Sequence, residues 1–127
     1  RAAAMIGLIA APLTALAAGI KGDAEAGKKK YQELCAGCHG AGGKGDGAAA
    51  AALNPKPADH SDPAKMCEMA DDTLFKTIKE GGVAVGKSPL MPAWGAQLKT
   101  DDEVSNLVRF VRTLHEKGCK PKGAEKK

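Results

Sequence analysis

Aromatic side chains are scarce in this 127-residue chain: two Phe, one Tyr and one Trp, 3% of the whole. A chain of this length has room for one domain. With so few large apolar side chains, that domain buries too little surface to offset chain entropy unaided. It calls for a staple, a metal or a bulky group at its centre. Alternation of apolar and polar residues is missing too, which excludes a sheet-based architecture. Basic residues exceed acidic ones only slightly (19 against 15, net charge +4) and form no stripe interleaved with aromatics. A nucleic-acid partner is therefore excluded, and acidic protein surfaces are favoured.

Long apolar runs are confined to residues 1–18, RAAAMIGLIAAPLTALAA. Ala15-Leu16-Ala17 offers small residues at both positions of an A-x-A-like processing site, so a cleavable export signal is expected. A retained anchor is the alternative. Its Ala content, modest length and Pro12 make it a poor membrane span, and the mature form is expected to have none. Cleavage removes only Arg1 and lowers the charge to +3. Export places the protein in the periplasm and its four cysteines in an oxidising compartment.

What is present reads as helix. A first helix is expected from Asp23 to Cys35, with Asp23 as N-cap and Ala26, Tyr31 and Leu34 on one side. Gly37 to Gly47 is too rich in glycine for regular structure. A short helical turn fits Ala48 to Leu53, ended by Asn54-Pro55-Lys56-Pro57. Asp71 to Glu80 has Asp at its start and Gly81-Gly82 at its end, as N-cap and C-cap preferences require. A loop spans Gly81 to Gln97. Thr100 to Glu103 is a capping box opening a last helix, with Val104, Leu107, Val108, Val111 and Leu114 in register and Gly118 as its stop. The expectation is an all-α domain over residues 19–118, three main helices with long loops, then a Lys-rich tail over 119–127. Loops this long belong to a compact domain only if they wrap something.

Cys35-Ala36-Gly37-Cys38-His39 is C-x-x-C-H, the attachment signature of a c-type haem. Two thiols at this spacing reach neighbouring vinyl groups, and the adjacent His is delivered to the iron. A thioredoxin-like pair needs a βαβ context, and a zinc site needs a second pair of ligands. Neither is here. For the sixth iron position Met91 is the first candidate, because Pro89 and Pro92 stiffen its loop and a thioether raises the potential relative to a second imidazole. Met66, Met69, His60 and His115 are the rivals. His115, late on the last helix, is expected to face solvent.

From Gly22 to Leu114 the chain resembles a class I cytochrome c. The resemblance is carried by Gly27-Lys28-Lys29-Lys30-Tyr31 in the first helix, by Cys35 to His39, by Met91-Pro92-Ala93-Trp94, and by Phe110 to Leu114. It implies one covalently bound haem c, with first and last helices crossing so that Gly27 lies against Phe110. It implies a proline carbonyl accepting the Nδ1 proton of the haem His. Pro55 is the candidate, with Pro57 close to it, and Ala48 stands where many relatives place a proline after the glycine-rich turn. It also puts Trp94 near the haem edge, touching a propionate or simply packing.

Cys67 and Cys119 remain, and an exported protein is expected to pair them. Lys44 and Lys87, near the haem loops, are candidates for steering an acidic redox partner. The function expected is one-electron transfer by a monomeric carrier that is not itself an enzyme. The competing readings are a haem enzyme, peroxidase-like or part of a sulfur-compound oxidase, and a domain that works only when docked in a larger oxidase or reductase.

Overall fold

A computed structural model describes residues 19–120; the expected export segment and residues 121–127 of the tail lie outside the described residues. Five α-helices follow in order: α1 (Ala24–Leu34), α2 (Ala36–His39), α3 (Pro63–Met66), α4 (Asp71–Glu80) and α5 (Asp101–Thr113). Single 3₁₀ turns lie at Ala50–Ala52, Gly82–Val85 and Glu116–Gly118. The described residues contain no strand, and the architecture is all-α.

Local chemistry accounts for most helix ends. The Asp23 carboxylate accepts from the amides of Glu25 and Ala26, capping α1, and the Thr100 hydroxyl accepts from Glu103 N at the start of α5. Both satisfy amides that the helix itself leaves unpaired. Asp71 departs from expectation. Ala70 holds the cap position of α4 without a side-chain bond, because the Asp71 carboxylate is engaged elsewhere, by Arg112 Nε at 2.6 Å and by the amide of Ile20 at 3.0 Å. A tertiary ion pair outcompetes a local cap. Short α3 went unforeseen, though Asp62 caps it and Pro63 sits in its first turn, the position where a missing amide costs nothing.

The core forms where α1 crosses α5, the most extensive helix packing in the molecule. A Cβ on Gly27 would overlap the carbonyl oxygen of Asn106 and lie 3.0 Å from Phe110 Cβ. Glycine is what lets the two backbones meet. Beside it the Tyr31 and Phe110 rings pack edge-on, with centroids 5.0 Å apart. Val104, Leu107 and Val108 of α5 are fully buried, each such side chain contributing roughly 1.5–3 kcal/mol. Leu74 and Ile78 close the third side from α4.

Arg112 ties this core to the preceding segment. Its guanidinium donates to the carbonyls of Met66 and Met69 as well as to Asp71. Cys67 and Cys119 are bonded nearby, with Cα atoms 5.6 Å apart. The last helix ends at Thr113, five residues before Gly118, because the chain turns inward there to reach Cys67. His115 consequently does not face solvent. It is 3% exposed, its Nδ1 donating to the His60 carbonyl at 2.9 Å and its Nε2 accepting from Arg112.

Candidate haem site

The thiol pair lies at the junction of α1 and α2. Cys35 ends α1, and one helical turn carries the chain through Gly37 and Cys38 to His39. Gly37 therefore belongs to regular structure, contrary to expectation; the glycine loop proper begins at Gly40, with φ of +83°. That loop folds back on the turn. Gly45 and Gly47 amides donate to the carbonyls of His39 and Cys38, and the Ala49 amide to that of Gly37. Carbonyls that a four-residue helix leaves unpaired are thus satisfied. A Cβ on Gly47 would meet the Ala36 carbonyl at 2.5 Å, so closeness is the reason for glycine there.

His39 is buried, and its Nδ1 donates to the Ala58 carbonyl at 3.0 Å. A carbonyl only accepts, so the proton is on Nδ1 and the lone pair of Nε2 is free for a metal. Burial lowers the His39 pKa and favours this neutral form, the hydrogen bond to Ala58 acting in the opposite direction. Pro55 does not supply the acceptor. It lines the cavity wall, while the Pro57 carbonyl lies close to Gly45, where a Cβ would meet it at 2.6 Å. The next carbonyl along, Ala58, is the one that reaches the ring.

The second wall comes from the loop after α4. Its backbone is closed on itself by Gly82 N donating to the Met91 carbonyl, and stitched to that helix by Trp94 N donating to the Ile78 carbonyl at 2.9 Å and Gly95 N to that of Lys79 at 3.0 Å. Met91 and Trp94 line the same cavity as Cys35, Cys38 and His39. Trp94 also packs against the core. The rivals for the sixth position divide. Met66, Met69 and His60 line the cavity; His115 does not. Met66 is fully buried, with its carbonyl held by Arg112. His60 lies beside His39, the two rings stacked at 4.1 Å, and its Nδ1 is hydrogen-bonded to the Tyr31 hydroxyl at 2.9 Å. Burial, with the charges of His39 and His115 adding to it, pushes the His60 pKa down to about 3.

The cavity measures about 550 Å³, within the roughly 300–1,000 Å³ typical of sites that enclose a small molecule. Its lining is mostly apolar. Among the described residues Cys35 and Cys38 are the cysteines without a disulfide partner, and burial, reinforced by Cys38, pushes the Cys35 thiol up to about 12. A thiol pair, an imidazole with a free Nε2 and a thioether around one apolar cavity fit a covalently held haem. No described helix is long and apolar enough to cross a membrane.

Helical fold and thiol-imidazole cavity together define a class I c-type cytochrome. Residues 22–111 match the family described as cytochrome c oxidase, cbb3-type, subunit III, and the chain belongs to it. Among solved structures it is similar to the KustC0563 c-type cytochrome, at 27% identity and a TM-score of 0.57, over 70% of this chain and 96% of that one. It is also similar to a chain of the Kuenenia stuttgartiensis reducing HAO-like protein complex Kustc0457/Kustc0458, at 25% identity and a TM-score of 0.58. That match covers 74% of this chain and 43% of the other. No curated protein matches the chain.

Proposed function

We propose that the protein is an exported, periplasmic one-electron carrier holding a single haem between His39 and Met91. The observation that carries this reading is the convergence of Cys35, Cys38, His39 and Met91 on one mostly apolar cavity. Bound there, the haem supplies an Fe(III)/Fe(II) couple. Cys35 and Cys38 tether it as thioethers, so a short chain retains a large apolar group. Ala58 orients His39 and fixes its tautomer, as partners behind a metal ligand do. Met91 contributes a soft sulfur that favours the reduced state. An apolar lining keeps water out, and so limits the reorganisation that accompanies a change of charge.

The cavity mouth supports docking. Val83 and Leu90, on the loop around Met91, are 67% and 46% exposed, and Lys87 beside them is exposed, as is Lys44 on the glycine loop. Exposed apolar side chains beside the positive charge of Lys87 suit a transient partner with an acidic rim. A second reading, in which the domain delivers electrons while docked in a larger redox assembly, draws support from the likeness to a chain of a multi-protein complex. Co-purification with a large haem or copper enzyme favours this reading; a free monomer that exchanges electrons with many partners opposes it.

Visible spectra and redox titrations of wild type and Met91→Ala test the ligand assignment. Wild type is expected to show a weak sulfur-to-iron band at the red end of the ferric spectrum. Met91→Ala should lose the band and fall in potential. An unchanged spectrum and potential in that variant would sink the assignment, and an intact mass without one added macrocycle would sink the carrier reading as a whole.

A further inference from the structure

A single hydrogen bond holds His39 along one direction but leaves the plane of its ring free to rock. The structure contains a second restraint, on the face of the ring. His60 lies flat against His39, with centroids 4.1 Å apart and planes 19° from parallel. Such a contact acts as a wall only if His60 is itself immobile, and three separate bonds make it so. Its amide donates to the Gly43 carbonyl at 2.6 Å, its carbonyl accepts from His115 Nδ1 at 2.9 Å, and its Nδ1 is hydrogen-bonded to Tyr31 Oη at 2.9 Å. Tyr31 is fully buried and fixed in turn by its edge-on contact with Phe110. A Cβ on Gly43 would lie 3.2 Å from His60 Cβ, so the loop closes on this residue from outside. None of these contacts is needed to attach a haem.

We propose that His60 is a positioning residue that sets the ring plane of His39 and thereby tunes the haem, through the chain Phe110–Tyr31–His60–His39. The proposal rests on His39 being the axial ligand. The ring plane of an axial imidazole governs how unpaired spin spreads over a ferric haem, and hence the order of its paramagnetically shifted methyl resonances. Ligand orientation is also one of the levers on potential. His60 thus acts on the iron without touching it, and has no role as the sixth ligand.

The test uses holoprotein and three substitutions. His60→Ala removes the stacked ring, His60→Phe keeps a flat ring but loses the bond to Tyr31, and Tyr31→Phe removes that bond alone. Proton NMR of the ferric form and the midpoint potential are the readouts. His60→Ala should reorder or respread the haem methyl resonances and change the Fe(III)/Fe(II) equilibrium by up to about tenfold, equivalent to about 59 mV for a one-electron couple. His60→Phe should return most of the wild-type pattern, and Tyr31→Phe should move it slightly in the direction of His60→Ala. Wild-type methyl order and potential in His60→Ala would overturn the proposal, as would a His60→Phe spectrum no nearer wild type than the Ala variant. If His60→Ala yields no holoprotein, His60→Gln replaces it, offering Tyr31 a polar partner but no ring, and the same outcomes decide. Failure of the underlying ligand reading looks different, since the wild-type protein would then lack a low-spin imidazole-ligated spectrum.

Discussion

His39 shows how unevenly a site declares itself residue by residue. That Cys35, Cys38 and His39 belong together is legible from their fixed local spacing, and Met91, framed by prolines, lines the same cavity. Ala58 is not legible. Its contribution is a carbonyl, which every residue owns, and only the path of the chain past Pro57 decides which one arrives at Nδ1. His115 misleads for a related reason: its place late on the last helix suggests solvent, but it follows Val111 by four residues, and where α5 stops, two residues before it, the chain turns inward and buries it. That burial has a measurable consequence. Burial lowers the His115 pKa below its ordinary 6.5, with the bond to the His60 carbonyl opposing the shift and the nearby Arg112 charge adding to it. Glu116 and Asp71, also nearby, pull the other way. The unfolded chain therefore binds the proton first as pH falls. The stabilisation is complete above about pH 6.5 and is lost as pH drops through and below that value. Denaturant midpoints between about pH 7.5 and pH 5 should decline less steeply in His115→Gln than in wild type; equal slopes would refute the assignment.

Helices α1 and α4 are written into the sequence by period, cap and stop signals and keep closely to the expected bounds, whereas α5 opens at its capping box but stops at Thr113, five residues short of Gly118. The exceptions are elements under tertiary control. α2 is a single turn containing glycine, and it exists because Gly45, Gly47 and Ala49 amides cover its carbonyls. At α4 the capping rule fails because Asp71 has a guanidinium to meet. The contact of α1 with α5 was foreshadowed by Gly27 and Phe110, and it is the most sensitive joint between elements. Gly27→Ala must push the Asn106 carbonyl away, which costs about 3 kcal/mol in a close-packed interior. Guanidinium unfolding should report that loss while the visible spectrum keeps its wild-type shape. A change below about 0.5 kcal/mol, the scale of ordinary surface substitutions, would mean that the helices are less tightly apposed than the structure has them.

The whole molecule solves the shortage of aromatics in two ways: a cavity that accepts a large apolar group, and a cross-link. The bond between Cys67 and Cys119 spans 52 positions, so on the chain-entropy account it contributes about 4 kcal/mol by restricting the unfolded chain. The doubly substituted Cys67→Ser/Cys119→Ser protein should therefore unfold at markedly lower denaturant concentration with its haem stoichiometry intact. A midpoint within error of wild type would refute this. Compartment logic suggested the pairing in advance, but not its company. Arg112 anchors the same junction through Asp71, the carbonyls of Met66 and Met69 and Nε2 of His115, and no local pattern foretells four acceptors around one guanidinium.

Gly19 and Glu116, near the two limits of the described chain, line one shallow polar depression with Asp71, Arg109 and Arg112. The first and last parts of the described chain are thus neighbours there, and neither Gly19 nor Glu116 lines the large cavity beside His39. Residues 19–120 therefore form a unit that could be inserted into a surface loop of a larger host with both junctions on one side and the large cavity uncovered.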